Sequence, residues 1–599
     1  MAIKAASESS RKMAVPKIMR IALRNCPGIY ILCAVSCICV GSIQAVNTKF
    51  LQRFFDSALA LIQNGGSAND AVRHFALIAL LGISNEFVTS IYYYMGRALD
   101  SSAACAFAEE FNKKLAKAAA VCFEDHQFLN DLERARAGQR AAVSALSSLT
   151  AVFTSNLSYL VIMYAVLHSI HFLLPLAILL AFIPVLAGQF LHARLFSNLE
   201  EQMAPIRRES LYYEKCIRDK EFFIETRQLN ATDFFFRKYL EALALFNKKA
   251  VQTEQKSAAV NLASSAASEI CYASVLMLLF ALLARNQISA GSFTAVFASI
   301  GMMFANLKNM ADSQVTQISK NYGSIISYFD FIEREERTGG ACGIRPGDAI
   351  HFSNVSFQYP NAHAKAVFNA SFDIAPGETV AIVGKNGSGK TTLARLIMGL
   401  YLPASGVAAI GRQQTKDIAQ GGLRSKWSAV FQKYQRYKMT LGENVSISDP
   451  KDELDSGQAE ARVREALQRA GVVAGGFQNG LGTMLSRDFG GVDLSGGQWQ
   501  RIAIARSIYR PHDFIIMDEP TSSIDPVEET KLYELFSELS RNKTAVLITH
   551  RIGAARIADR ILVMDGGRIV EQGTYQDLID RKGAFYDLYE AQAKWYQKD

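Results

Sequence analysis

Four groups of residues have the types and spacing to act on a phosphoanhydride. The first is Gly384-Lys385-Asn386-Gly387-Ser388-Gly389-Lys390-Thr391-Thr392. Its glycines let the backbone curl so that successive N–H groups converge on an anion, and a helix beginning there adds positive potential. Lys390 is placed for the β- and γ-phosphates and the Thr391 hydroxyl for Mg²⁺. The second is Asp518-Glu519-Pro520, where Asp518 suits Mg²⁺ through water and Glu519 suits the base that polarises an attacking water. The third is Leu494-Ser495-Gly496-Gly497-Gln498, glycines and a serine at a helix start, which again suit phosphate oxygens. The fourth is the pair Gln432 and His550, each closing an apolar run. Taken singly they read as loop residues. At the ends of buried strands, in this order, they gain weight together.

Buried strands and helix starts must hold these groups. Thr379-Val380-Ala381-Ile382-Val383 precedes the glycine-rich turn, and Leu393-Ala394-Arg395-Leu396-Ile397 follows it with helical spacing. A chance match in a loop would lack both flanks. Trp427 to Phe431, Phe514 to Met517 and Ala545 to Thr549 read as further strands, the middle one as a fully buried parallel strand. His351 to Phe357 is a strand ended by Tyr359, an aromatic suited to a nucleobase, and 561–570 reads as a hairpin. Residues 349–599 are thus an α/β nucleotide-binding domain.

The remainder has a different composition. The chain has 599 residues, half of them hydrophobic and a fifth charged, and its mean hydropathy of +0.08 is high for a wholly soluble protein. Six apolar stretches near 27–50, 72–96, 143–168, 171–192, 258–284 and 292–316 approach the roughly 20 residues a membrane-spanning helix needs. The connections at 64–71 and 168–171 hold no Lys or Arg, whereas 97–142 and 193–257 are rich in both. That asymmetry places both termini and both long connections in the cytoplasm. It also accounts for the net charge of +8 without nucleic acid. The long connections have few breakers, so they are expected as helices reaching tens of Å from the bilayer. A buried helical core in a soluble protein is the alternative, against which charge and segment number both count.

No small-residue cleavage site follows a short apolar core, so no removable signal peptide is expected. The nine cysteines lie at or before Cys342, none with zinc-ligand spacing, and read as small buried hydrophobes. Ionisable groups at membrane depth are costly and usually face a bundle interior. Glu86 and Glu269 are the most central and are the candidates for a substrate path, with a snorkelling or paired side chain as the plain alternative. The boundaries expected are a cytoplasmic segment over 1–26, a membrane domain over 27–320 and a linker over 321–348, broken by Thr338-Gly339-Gly340.

With Leu494-Ser495-Gly496-Gly497-Gln498 lying between the glycine-rich loop and Asp518-Glu519, the whole chain resembles an ATP-binding cassette exporter. It is similar to a half-transporter with an all-α six-helix transmembrane domain fused ahead of an α/β P-loop NTPase. The resemblance implies ATP and Mg²⁺, and two cassettes paired head to tail with each ATP between one P-loop and the other signature. It makes Tyr359 the adenine-stacking aromatic and Gln432 the lid glutamine that senses Mg²⁺. Ser495 and Gly497 become contacts to the γ-phosphate across the dimer, Glu519 the catalytic carboxylate and His550 the switch histidine. Ser523-Ile524-Asp525 resembles the loop crossing between cassettes. Stretches containing Asp125-His126 and Arg227-Gln228 resemble coupling helices.

Leu485 to Asp493 departs from the form common in multidrug and lipid exporters and, with Phe431 to Thr440, looks more like exporters of modified peptides. The residues before the first span leave no room for a leader-cleaving peptidase. The expected activity is ATP-driven export of a peptide or amphipathic molecule through a cell (inner or plasma) membrane by a homodimer, with no nucleic-acid partner. Alternatives are a heterodimer with a degenerate partner, an importer of metal chelates on the exporter fold, a lipid flippase, a gated channel, and a soluble cassette protein acting on nucleic acid. The last predicts extraction without detergent.

Overall fold

The computed structural model describes residues 2–594 except 65–66, 311–313, 315, 338, 451–455 and 521–525. Asp312 and the expected crossing loop with Asp525 lie outside the described residues. The chain divides into a helical unit, Met1–Ala116 with Asn130–Arg334, and a second unit, Lys117–Leu129 with Glu335–Asp599.

The helical unit comprises α1 (Ala2–Asn25), α2 (Pro27–Asn64), α3 (Ala68–Ala116), α4 (His126–Thr150), α5 (Leu157–Ile170), α6 (Leu173–Arg218), α7 (Lys220–Gln228), α8 (Thr232–Ala284), α9 (Ala290–Asn309) and α10 (Thr316–Ile332). The six apolar stretches fall on α2, α3, α4 with α5, α6, α8 and α9. Five of these runs are long and apolar enough to cross a membrane, and the sixth, over 290–306, is shorter. The third is one continuous rod in which a π turn over Ala151–Asn156 joins α4 to α5, an extra residue per turn that widens the hydrogen-bond ladder. Leu179, Ile183, Phe190, Leu262, Met277 and Phe280 point outward, as hydrocarbon contact requires.

Small residues let these helices approach closely. A Cβ on Gly41 of α2 would meet the Ser155 carbonyl at 2.2 Å, and one on Gly188 of α6 would meet Ser264 Oγ at 2.6 Å. The α6–α8 contact is pinned by a polar seam. His192, 2% exposed, has Nε2 at 2.6 Å from Asn261 Oδ1 and Nδ1 at 2.9 Å from Ser257 Oγ. Ser264 donates to the Pro184 carbonyl at 2.8 Å. A buried polar group is affordable only when partnered in this way.

Among its described residues the second unit has the strands β1 (Ile350–Phe357), β2 (Val367–Ile374), β3 (Thr379–Gly384), β4 (Ser405–Ile410), β5 (Gln413–Gln414), β6 (Trp427–Val430), β7 (Phe514–Asp518), β8 (Thr544–Ile548), β9 (Arg560–Asp565) and β10 (Arg568–Gly573). One sheet has the order β10-β9-β3-β8-β7-β6 and the other β2-β1-β4-β5. In the larger sheet β3 runs parallel to β8 and β9, and β7 parallel to β6 and β8. All residues of β3, β7 and β8 are buried, as strands covered on both faces demand. The helices are α11 (Lys390–Ile397), α12 (Gln420–Arg424), α13 (Leu441–Ser446), α14 (Ser456–Arg469), α15 (Gly496–Tyr509), α16 (Pro526–Ser540), α17 (Tyr575–Arg581) and α18 (Ala584–Ala593).

Candidate nucleotide site

Parallel strands deliver the reacting groups because each ends at the same edge of the sheet. Behind β3 the chain turns through Gly384 (φ +155°), Gly387 (φ +80°) and Gly389 (φ +100°) before α11 begins. Two of these glycines are required twice over. A Cβ on Gly384 would lie 2.2 Å from the Met564 carbonyl, and one on Gly389 would lie 2.3 Å from the Ala366 carbonyl. Asn386 is exposed on the same turn. The Lys390 ammonium is buried and donates to the carbonyls of Gly384 at 2.9 Å and Lys385 at 3.0 Å. Burial lowers its pKa, against the pull of Glu519 and Asp518. Ser388 Oγ is buried without a partner, a polar atom inside the turn that suits a phosphate oxygen.

At the end of β7, Asp518 is 3% exposed and accepts from Thr391 Oγ1 at 3.3 Å. Burial pushes its carboxyl up to about 6, with the Glu519 charge adding to the effect and Thr391, Arg395 and Lys390 opposing it. Glu519 stands in left-handed backbone at φ +46°, a conformation uncommon outside glycine and asparagine. Its amide donates to the Ile548 carbonyl at 3.0 Å. Gln432 Nε2 donates to its carboxylate at 2.7 Å. His550 Nδ1 lies 3.4 Å and Lys390 Nζ 3.9 Å from the other oxygen. Lys390, Gln432 and His550, three residues spread over more than 150 positions, thus converge on the Glu519 carboxylate.

Tyr359 has its hydroxyl 2.9 Å from Thr392 Oγ1, and its ring meets Phe357 and Tyr401 edge-on. The signature segment caps α15. Ser495 Oγ accepts from the Gln498 amide, and Gln498 Oε1 accepts from the Ser495 amide, a capping box. A Cβ at Gly496 or Gly497 would meet nothing within 4 Å, so packing within the chain does not demand glycine at either position. Tyr434, which the sequence reading passed over, donates its hydroxyl to the Gly496 carbonyl at 2.8 Å. It ties the Gln432 loop to the start of α15.

Asp125 and His126 follow a 3₁₀ turn over Ala120–Glu124 that belongs to the cassette unit. Asn361 donates to Asp125 Oδ1 at 3.0 Å and lies 3.0 Å from His126 Nδ1. Glu124 takes the Tyr401 hydroxyl at 2.8 Å and Arg395 at 3.2 Å, so the turn is bonded to α11 itself. Sequence reasoning missed Glu124, Arg395 and Tyr401, because their partnership spans more than 270 residues and no spacing announces it. Arg227 and Gln228 end α7 in the helical unit, where Arg227 lies 4.4 Å from the Phe223 ring centroid. Glu86 and Glu269 are exposed on α3 and α8, and among the described residues no hydrogen bond or ion pair joins them.

Fold and site together define an ATP-hydrolysing membrane transporter. Residues 367–522 match the ABC transporter family. The chain is 29% identical over 486 residues to the subtilin transport ATP-binding protein SpaT of Bacillus subtilis, covering 78% of this chain and 76% of that one. It is 27% identical to the nisin transport ATP-binding protein NisT of Lactococcus lactis subsp. lactis, over 75% and 72% of the two chains. It is 32% identical to the ATP-dependent lipid A-core flippase of Vibrio vulnificus (strain CMCP6) over 51% of this chain and 52% of the flippase. The match thus spans about half the length of that relative. A bacterial Atm1-family ABC exporter with ATP bound superposes with a TM-score of 0.82 over 95% of this chain and 98% of its own, at 22% identity, a likeness of fold. Residues 367–522 thus carry an ABC transporter domain, and the chain as a whole has the fold of an ABC exporter.

Proposed function

We propose that the chain is one half of a homodimeric, ATP-driven exporter that moves a peptide or amphipathic molecule across a cell membrane, with cassette and termini cytoplasmic. The observation that carries this reading is the convergence of Lys390, Gln432 and His550 on Glu519 at the carboxyl edge of β3, β7 and β8. Glu519 accepts the proton of the attacking water, and Gln432 and His550 orient its carboxylate. Lys390 and the amides of 384–391 hold the β- and γ-phosphates, with Tyr359 beside the base. Thr391, Asp518 and Gln432 offer the all-oxygen donor set that suits Mg²⁺. A Mg²⁺ held by these residues would supply charge neutralisation for the phosphoryl oxygens. Ser495, Gly497 and Gln498 contact the γ-phosphate bound to the second copy, which accounts for two glycines that nothing in their own chain requires. Asp525, outside the described residues, belongs by resemblance to the loop crossing between cassettes. Asp125 and His126, with Arg227 and Gln228, carry closure of the cassettes to the helices, and Glu86 and Glu269 line the route.

A peptide cargo is favoured because the relatives matched over about three quarters of their length are named for subtilin and nisin transport. A lipid substrate is the second reading, favoured by the flippase matches. Purified chain in liposomes tests both. Cationic amphipathic peptides are expected to stimulate ATP hydrolysis several-fold and to accumulate in inverted vesicles only with ATP. Stimulation by lipid A-type glycolipids alone would move the assignment to the flippases. Uptake into cells would reverse the direction.

A further inference from the structure

The cassette holds a second cationic cavity, at the opposite edge of the sheet from the nucleotide site. β6, β7 and β8 begin in register at Trp427, Phe514 and Thr544, and the groups of the nucleotide site follow their far ends. Five residues at about 3.3 Å each separate the two edges by roughly 16 Å. At the amino edge lies a cavity of 220 Å³ whose charged and titratable lining is Arg462, Arg469, Arg510, His512, Lys543 and Glu465. Four cations face one carboxylate. A neighbouring cavity of 260 Å³ shares Arg469 and adds Arg501 and Lys531 with no acid in its lining.

Among the described residues, two of the cations make no direct ion pair with a carboxylate. Arg462 lies 3.9 Å from Asp449, and Arg469 is 2.8 Å from Glu538. Asp513, the nearest acid in sequence, is 3.0 Å from Lys426. Arg510, by contrast, donates to the Arg424 carbonyl at 2.6 Å, and Lys543 Nζ lies 2.9 Å from His512 Nε2. His512 Nδ1 lies 2.6 Å from the Arg510 carbonyl. A carbonyl only accepts, so Nδ1 carries the proton and the Nε2 lone pair receives the Lys543 ammonium. Among the described residues, neither Arg510 nor Lys543 is ion-paired. Burial lowers the pKa of both; Asp449 opposes this at Arg510 and Asp513 at Lys543, while Arg424 beside Arg510 and Arg469 beside Lys543 reinforce it. Half-buried cations repelling one another on neutral acceptors stand at a cost that an anion between them would remove.

We propose that this cavity binds a phosphate-class oxyanion between Arg510, Lys543 and Arg469. Guanidinium forks match tetrahedral oxyanions bidentately and the ammonium adds a point charge. At about 30 Å³ per water the space equals roughly seven waters, below the range of about 300–1,000 Å³ that takes drug-sized ligands. It therefore admits one phosphoryl group rather than a nucleotide. Free phosphate and the phosphoryl of a lipid headgroup share this chemistry.

The test uses the full chain in phosphatidylcholine nanodiscs with Mg²⁺ and a non-hydrolysable ATP analogue saturating the nucleotide site. Inorganic phosphate is then titrated calorimetrically at constant ionic strength against chloride. Saturable binding is expected, weakened at least tenfold in Lys543→Gln and in Arg510→Gln and retained in Lys543→Arg. Glutamine at 543 keeps a donor for His512, and unchanged affinity for the ATP analogue certifies the fold of each variant. Absence of saturable binding to the wild type, or equal affinity in the wild type and both glutamine variants, would overturn the proposal. Phosphatidic acid in the discs distinguishes the sources. Competition with free phosphate in the wild type identifies a lipid phosphoryl, and unaltered binding identifies the free ion.

Discussion

At the residue scale the site is governed by what surrounds each ionisable group. Glu519 is kept in left-handed backbone by its amide bond to the Ile548 carbonyl and by three polar groups on its carboxylate. Glu519→Gln retains the shape and removes the proposed base. ATP hydrolysis is expected to fall about 10²–10⁴-fold while nucleotide binding persists, read by phosphate release and by retention of labelled ATP. Vigorous turnover in this variant would remove Glu519 from the role of base. His512 gives a pH prediction from a different corner of the cassette. Burial lowers its pKa, the Arg510 carbonyl opposing and the Lys543 charge reinforcing the effect. The folded imidazole therefore stays neutral where the unfolded one, near 6.5, takes up a proton. The unfolded state then binds more protons, so stability falls as pH drops through that value, with a limiting slope of roughly 1.4 kcal/mol per pH unit. Thermal unfolding in phosphate-free buffer between pH 7.5 and 5.5 should show a decline that His512→Asn flattens. A parallel decline in that variant would assign the acid sensitivity elsewhere.

At the element scale, strand ends and helix starts carry the function, and this is where the sequence was most legible. The runs before Gly384, Gln432, Asp518 and His550 are continuous and apolar because β3, β6, β7 and β8 are covered on both faces. Local composition therefore announced these strands. The apolar stretches were legible as helices, and so were their charged continuations: with few breakers in the connections, α3, α6 and α8 run on as helices of 49, 46 and 53 residues. Bonds between distant side chains were illegible. Tyr434 to Gly496 and Glu124 to Arg395 depend on tertiary approach, which no periodicity encodes. The Glu124 link predicts a coupling energy. Arg395 and Glu124 remain 33% and 43% exposed, so a double-mutant cycle of Glu124→Ala and Arg395→Ala should give only about 0.2–1 kcal/mol in unfolding. The same single changes should halve or abolish stimulation of ATP hydrolysis by transported substrate. Full stimulation in Glu124→Ala would show that this turn does not transmit it.

At the scale of the whole molecule, the arrangement rests on charge and apolar length acting together. Among the described residues five helices are long and apolar enough to span a bilayer, and their connections differ sharply in charge. The turn between α5 and α6 holds no Lys or Arg, and that between α8 and α9 holds only Arg285, whereas α7 and the flanking ends of α6 and α8 are crowded with both. Lys and Arg resist translocation, so the uncharged turns should lie outside and α7 inside. That orientation places Glu519 and the nucleotide site in the compartment that holds ATP. Single cysteines at Gln287 and at Asn230, each in a background whose nine native cysteines are serine, put the orientation to measurement. A membrane-impermeant maleimide should label Gln287→Cys in right-side-out vesicles and Asn230→Cys only in inverted ones. Gln287 follows the left-handed Asn286, and Asn230 is itself left-handed at φ +53°. Both positions are therefore turns at element ends rather than packed helix interiors, and substitution there should leave the bundle intact. Labelling of both from the same side would refute the assigned topology and with it the outward stroke of the pump.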